Sequence, residues 1–314
     1  MSICLTHRRC IRRREQLHSS AEHSREEVWI AQRLAGINQL MSIPSIFFRH
    51  SIATRVLHWL NALCVFIVLM SGLQIFNAHP RLYWGQYGAN TDHAALEMTV
   101  GDSAEGQPLG IVRIGHHQIP TTGFLGVSKD GSGESIERGF PSWATIPSYQ
   151  DLATGRRWHF FFAWMLVFSS ALYFLISFAT RHVQRDLLPT RTQWSLNGIS
   201  RDFWDHVRLR FPTGEAARYY NSLQKLAYLA VLFILAPIIL ATGLTMSPGL
   251  DAGFPWLLNL FGGRQSARTL HFICAMGVVL FIVVHLAMVV LAGPLDELRS
   301  MITGRYVLPP EKVK

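Results

Sequence analysis

The sequence predicts an all-α membrane protein: a four-transmembrane-helix bundle with both termini cytoplasmic and a long external loop between the first two helices. Three observations carry that prediction. Of the 314 residues, 49% are hydrophobic and only 16% are charged, against about 25% charged in a soluble domain, and the mean hydropathy is +0.21. Four apolar stretches, each of roughly the 20 residues needed to cross about 30 Å of hydrocarbon, contain no Asp, Glu, Lys or Arg. The 29 Lys and Arg, against 20 Asp and Glu, concentrate in flanks that the positive-inside bias assigns to the cytoplasm. This balance excludes a disordered chain and an ordinary soluble enzyme, and basic loops on an apolar chain point to a lipid bilayer and not to nucleic acid.

Residues 1–47 read as a basic N-terminal extension with the run RRCIRRR and a second methionine, Met41, as an alternative start. No small-residue cleavage site follows an apolar core before Val56, so a cleaved signal peptide is not expected. A domain over 48–306 follows, and 307–314 forms a tail. The first span covers 56–76, and nine Arg against four Glu precede it. An insertion over 77–157, with six Arg and Lys against eight acids, belongs outside. It is rich in Gly, Ser and Thr, and its run LGIVRIGHHQIPTTGFLG reads as short strands or a hairpin. Loops this long are functional or lack structure of their own, and a docking surface for an external partner is the expected use. Tyr83, Trp84, Tyr87, Trp143, Tyr149 and Trp158 place its two ends at the membrane interface.

The second span covers 158–180, and the connection 181–225, with eight Lys and Arg against four acids, belongs to the cytoplasmic side. The third span, 226–246, contains Pro237 and Gly243, which predict a kink and not a break. The connection 247–269 has only Arg264, Arg268 and Asp251 as charges and returns outside. The fourth span covers 270–292.

Of 14 histidines, ten lie in tails and loops, and four, His58, His159, His271 and His285, lie in the spans. An imidazole in hydrocarbon must find a partner, so each marks function by default. His271 and His285 are 14 residues apart, which leaves them about 40° apart around one helix and about 21 Å apart along it. His58 opens the first span from the inside, and His159 opens the second from the outside. Depth therefore pairs His159 with His271 at the outer level and His58 with His285 at the inner level. Two imidazoles facing across a bundle core suit the axial positions of a haem iron. The four cysteines, at 4, 10, 64 and 274, form no Cys-x-x-Cys-His motif, so covalent c-type haem is excluded. Zinc needs three or four ligands, which neither level offers, and a proton relay needs acidic residues that the spans lack.

The runs RVLHWLNAL, RRWHFFFAW and YYNSLQKLAYL, with the His-x13-His pair of the fourth span, resemble the bacterial cytochrome b561 and nickel-hydrogenase type di-haem cytochromes b. The resemblance covers roughly residues 48–306. It implies two non-covalent b-type haems, the outer one on His159 and His271 and the inner one on His58 and His285, in a multi-pass protein of the bacterial inner membrane. It also implies a quinone site near Asn221, although these relatives usually have Gly where this chain has Leu223; a helix N-cap is the alternative reading of Asn221. Arg55, Arg156, Arg157, Lys225 and Arg268 flank the haem levels, where propionate pairing and interfacial snorkelling are both open.

The long insertion and its PTTGFLG run are more similar to thiosulfate reductase-like cytochrome b proteins, whose external partner is a molybdenum oxidoreductase. The implied function is electron transfer across the membrane between the quinone pool and such a periplasmic partner. A stand-alone superoxide:quinone oxidoreductase, as in some small relatives, is the alternative, and a non-redox channel or transporter is the third reading.

Overall fold

Side-chain caps set where the first two long helices begin. Ser51 accepts the Thr54 amide at 3.1 Å and starts α1 (Ile52–Asn77), and Asp151 accepts that of Thr154 at 3.0 Å and starts α2 (Leu152–Ala179). Both helices begin before the apolar stretches read from the sequence. Their first two turns carry Arg55, Arg156 and Arg157, which a hydropathy window rejects and a helix accepts. The computed structural model describes residues 46–89, 91–104, 106–181, 183, 188–190, 192–210 and 221–307, with Trp29 and Arg33. Most of the N-terminal extension, the tail beyond Val307, and Tyr219 and Tyr220 of the YYNSLQK run lie outside the described residues.

The connection to the third span contains an amphipathic helix, α3 (Leu196–Val207), capped by Ser195. Leu196, Phe203, Trp204 and Val207 are exposed on it. The next helix, α4 (Ser222–Thr245), passes Pro237 without a break. A π turn over Val231–Leu235, in which the Ala236 amide donates to the Val231 carbonyl, accommodates the missing proline N–H. Two short proline-started helices, α5 (Pro248–Gly253) and α6 (Pro255–Leu260), lead into α7 (Arg264–Ala292). Gly293, at φ +116°, ends α7 and turns the chain into α8 (Pro294–Thr303). At the chain ends β1 (Ile46–Phe48) pairs antiparallel with β8 (Arg305–Val307), Ile46 opposite Val307.

Thus α1, α2, α4 and α7 are long and apolar enough to span a membrane. The helix pairs α1/α2 and α4/α7 pack together, yet Phe168, Leu175, Leu280 and Val290 point outward and are more than 60% exposed. Such a surface needs lipid around it.

The chain is not all-α, which corrects the expectation from the sequence. The insertion folds as an antiparallel sheet in the order β2 (Arg81–Leu82), β3 (Leu96–Asp102), β4 (Pro108–Ile114) and β5 (His117–Pro120), with a second hairpin of β6 (Gly126–Lys129) and β7 (Ser135–Arg138). The hairpin read in LGIVRIGHHQIPTTGFLG is β4–β5. Strand β3 also alternates apolar and polar residues over Leu96–Val100, although sequence reasoning did not single it out, whereas β2, β6 and β7 are too short or too polar to show by alternation alone. The two β layers meet where Gly110 and Gly126 lie back to back, since a Cβ on Gly110 would stand 2.3 Å from the Leu125 carbonyl oxygen.

The insertion is locked to one end of the bundle. Met98, Val112 and Leu82 pack with Phe76 of α1, and Phe272 of α7 lies against this cluster. Arg138, 6% exposed, donates to Gln74 Oε1 and the Ser148 carbonyl, both at 2.6 Å. Asn77 exchanges two hydrogen bonds with the Phe140 backbone. From α7, Thr269 donates to the Tyr83 carbonyl at 2.6 Å and Ser266 accepts the Gly85 amide at 2.7 Å.

Candidate functional site

The structure brings the four span histidines together in two pairs. At the end covered by the insertion, His159 of α2 and His271 of α7 face each other with ring centroids 6.3 Å apart and planes at 60°. Toward the other end, His58 of α1 and His285 of α7 face each other at 6.5 Å and 54°. Because α7 is continuous from Arg264 to Ala292, the two levels lie about 21 Å apart along it.

The first pair is held by two matching cradles. His159 Nδ1 lies 3.0 Å from the Val68 carbonyl oxygen and 3.3 Å from Ser71 Oγ, both on α1. His271 Nδ1 lies 3.0 Å from the Ile239 carbonyl oxygen and 3.1 Å from Thr242 Oγ1, both on α4. Each hydroxyl directs its own hydrogen to the carbonyl four residues back, Ile67 or Ile238, at 2.6 Å. The carbonyl and the hydroxyl oxygen can therefore both accept from Nδ1–H, which leaves Nε2 without a proton. The residue after each hydroxyl is glycine: a Cβ on Gly72 would stand 3.3 Å from His159 Cε1, and one on Gly243 would stand 3.4 Å from His271 Cε1. Sequence reasoning did not find these residues, although Ser-Gly and Thr-Gly recur inside two apolar spans.

The second pair is packed by aromatic rings. Phe281 stacks on His285 at 5.8 Å and 15°, with Tyr228 edge-on to Phe281. Trp59 stands at 90° to His58, whose Nδ1 is buried without a hydrogen-bond partner.

Neither level has a third donor. Among the described residues no group of three or more His, Cys, Asp or Glu could hold a metal, so tetrahedral zinc does not fit. A pair of imidazoles fits a metal whose remaining ligands arrive with it, as in haem. Metal–nitrogen bonds are about 2 Å long, and centroid separations of 6.3 and 6.5 Å leave room for one metal between the two rings of each pair.

Asn221 is the N-cap of α4: it accepts the Gln224 amide at 2.8 Å in a capping box. Its Nδ2 also donates to His206 Nε2 at 3.2 Å, while His206 Nδ1 donates to the Asp202 carbonyl at 2.7 Å. Lys225 is buried and donates to the Leu188 carbonyl. Arg157 is exposed and donates to Thr154 Oγ1, and Arg156 lies over Phe160. Arg55 and Arg268 donate to the backbone carbonyls of Ile302 and His79.

The family described as prokaryotic cytochrome b561 matches residues 49–304. The chain is also 26% identical over 259 residues, 82% of its own length and 98% of the relative's, to an Azospira oryzae protein named "Putative protein-methionine-sulfoxide reductase subunit YedZ1". No solved structure matches the chain. With all four paired histidines inside the matched segment, and the match covering most of its length, the chain belongs to the prokaryotic cytochrome b561 family of membrane haem proteins.

Proposed function

We propose that this protein transfers electrons across the bacterial inner membrane between the quinone pool and an external redox partner, and that His58 with His285, and His159 with His271, would hold two b-type haems. The supporting observation is the pair of facing imidazoles at each of two levels of one bundle. Haem held by two imidazoles supplies a one-electron carrier whose iron has no position open to substrate. The protein's own residues hold and insulate that carrier. Val68, Ser71, Ile239 and Thr242 fix the outer tautomers, and Phe281, Tyr228 and Trp59 pack around the inner rings.

The excess of basic residues before α1 and between α2 and α4 orients the termini to the cytoplasm and the insertion to the outside. The partner is a periplasmic molybdenum oxidoreductase docking on the insertion; the relative's name as a reductase subunit supports a division in which another chain performs the substrate chemistry. Asn221 and His206, hydrogen-bonded to each other where α3 meets α4, mark the quinone side.

His271→Ala removes a ligand from the outer pair alone. It should abolish the outer haem's absorption and leave the inner haem's intact, and His58→Ala should do the reverse. Two full haems in either variant would overturn the assignment.

A further inference from the structure

Two of the four histidines are preceded by the same unit: Arg55-Val56-Leu57-His58 and Arg268-Thr269-Leu270-His271. In each, the arginine sits one turn, about 4.5 Å along the axis, nearer the start of its helix and so nearer the aqueous end. Neither arginine forms an ion pair among the described residues. Arg55 Nη1 donates to the Ile302 carbonyl and Arg268 Nη2 to that of His79, which leaves most of each five-donor fork unused.

Buried donors without partners stand beside both. Arg55 Nε is one of them. The other is the hydroxyl of Tyr83, a residue 2% exposed and stacked on His79, whose carbonyl receives Arg268. Gln265 Oε1, one turn outward of Arg268, is also buried without a partner, and an amide flip would present its Nε2 there as a further donor. An orphaned buried donor costs about 1–3 kcal/mol, and the two half-buried guanidiniums have no carboxylate partner among the described residues, Arg268 having only the face of Phe76 at 5.7 Å besides its carbonyl. Cations and donors that outnumber the acceptors around them describe a site for an anion.

We infer that the two Arg-x-Leu-His units are carboxylate anchors: Arg268 with the Tyr83 hydroxyl grips a propionate of the outer haem, and Arg55 grips one of the inner haem. This rests on the haem assignment proposed above. Each histidine would bind the iron while the arginine one turn away receives the carboxylate through parallel N–H bonds, the geometry that suits a planar guanidinium. Arg156 also precedes a ligand by three residues, but it is exposed and faces Phe160, so it is not an anchor of this kind.

The test compares purified protein reconstituted with protohaem and with its dimethyl ester, which has no carboxylate, and reads both midpoint potentials. With protohaem, Arg268→Gln should lower the outer potential and leave the inner one, because the propionate's charge is no longer offset. Tyr83→Phe, which removes one oxygen, should do the same to a smaller extent, and Arg55→Gln should lower the inner potential alone. With the dimethyl ester these shifts should shrink to a small fraction. Equal shifts with both haems, or none with protohaem, would overturn the inference. The haem assignment fails separately, if His159→Ala keeps both haems.

Discussion

Replacing Thr242 by Val removes one oxygen and nearly preserves the side chain's shape. Thr242 is fully buried, its hydroxyl hydrogen is committed to the Ile238 carbonyl at 2.6 Å, and its oxygen lies 3.1 Å from His271 Nδ1. The variant leaves the ring held by the Ile239 carbonyl alone, at 3.0 Å. The lost half of this shared bond is worth about 1 kcal/mol. A bond accepted from Nδ1–H makes the imidazole a stronger donor and favours the oxidised iron, so its loss should raise the outer potential. If the whole contribution discriminates between the oxidised and reduced forms, the one-electron conversion of about 59 mV per 1.4 kcal/mol sets the limit at about 40 mV. Ser71→Ala, which removes a longer contact of 3.3 Å to His159, should shift it less. Potentiometric titration followed optically would read both proposed haems in one experiment. A lowered outer potential in Thr242→Val, or a shift confined to the inner haem, would refute the role given to the hydroxyl.

Three further outcomes follow from the same contacts. Gly72→Val places branched carbon where even a single Cβ would stand 3.3 Å from His159, so it should expel the proposed outer haem; a haem count of two per chain would show that the cradle yields. Arg138→Ala removes hydrogen bonds of 2.6 Å to Gln74 and Ser148 and strands both acceptors, a loss of about 2–5 kcal/mol; proteolysis within the insertion should become faster, and an unchanged rate would deny that Arg138 locks it. Burial, then Arg268 and Arg81, hold the His79 imidazole below its ordinary value of 6.5. The folded state therefore binds fewer protons than the unfolded chain between that lowered value and 6.5, so stability should fall as pH falls through this window. His79→Phe keeps a ring against Tyr83 and should flatten the dependence of the melting temperature between pH 7 and 5.5; an equal slope in both proteins would rule His79 out as its source.

The long helices were legible because length and hydropathy determine a transmembrane helix with no reference to neighbours: hydrocarbon leaves the backbone few alternatives. The insertion was only partly legible. Its β4–β5 hairpin shows as an apolar run broken at Gly115 and His116, and β3 alternates over LEMTV, but β2 depends on packing against Phe76 and Phe272, and β6 and β7 on pairing with each other. Helix α3 was hidden because its polar connection looks like any basic loop, although Leu196, Phe203, Trp204 and Val207 recur at helical spacing.

At the site the division follows the same physics. The pairing of His159 with His271 and of His58 with His285 could be derived from residue numbers, since span direction sets depth and the 14-residue interval in one helix sets azimuth. The residues that hold the rings could not. Val68 and Ile239 act through backbone carbonyls, which have no side-chain signature, and Ser71, Gly72, Thr242 and Gly243 acquire their roles only because α1 packs on α2 and α4 on α7. Asn221 shows both kinds of information: its N-cap was readable locally, whereas its bond to His206 depends on α3 folding back against α4. What the sequence determined by itself was every property set by the chain and the solvent around it, namely the number of spans and the level at which each span histidine sits. What only the tertiary structure decided was which atoms of neighbouring helices meet those histidines, because contacts between distant segments depend on packing that no local pattern encodes.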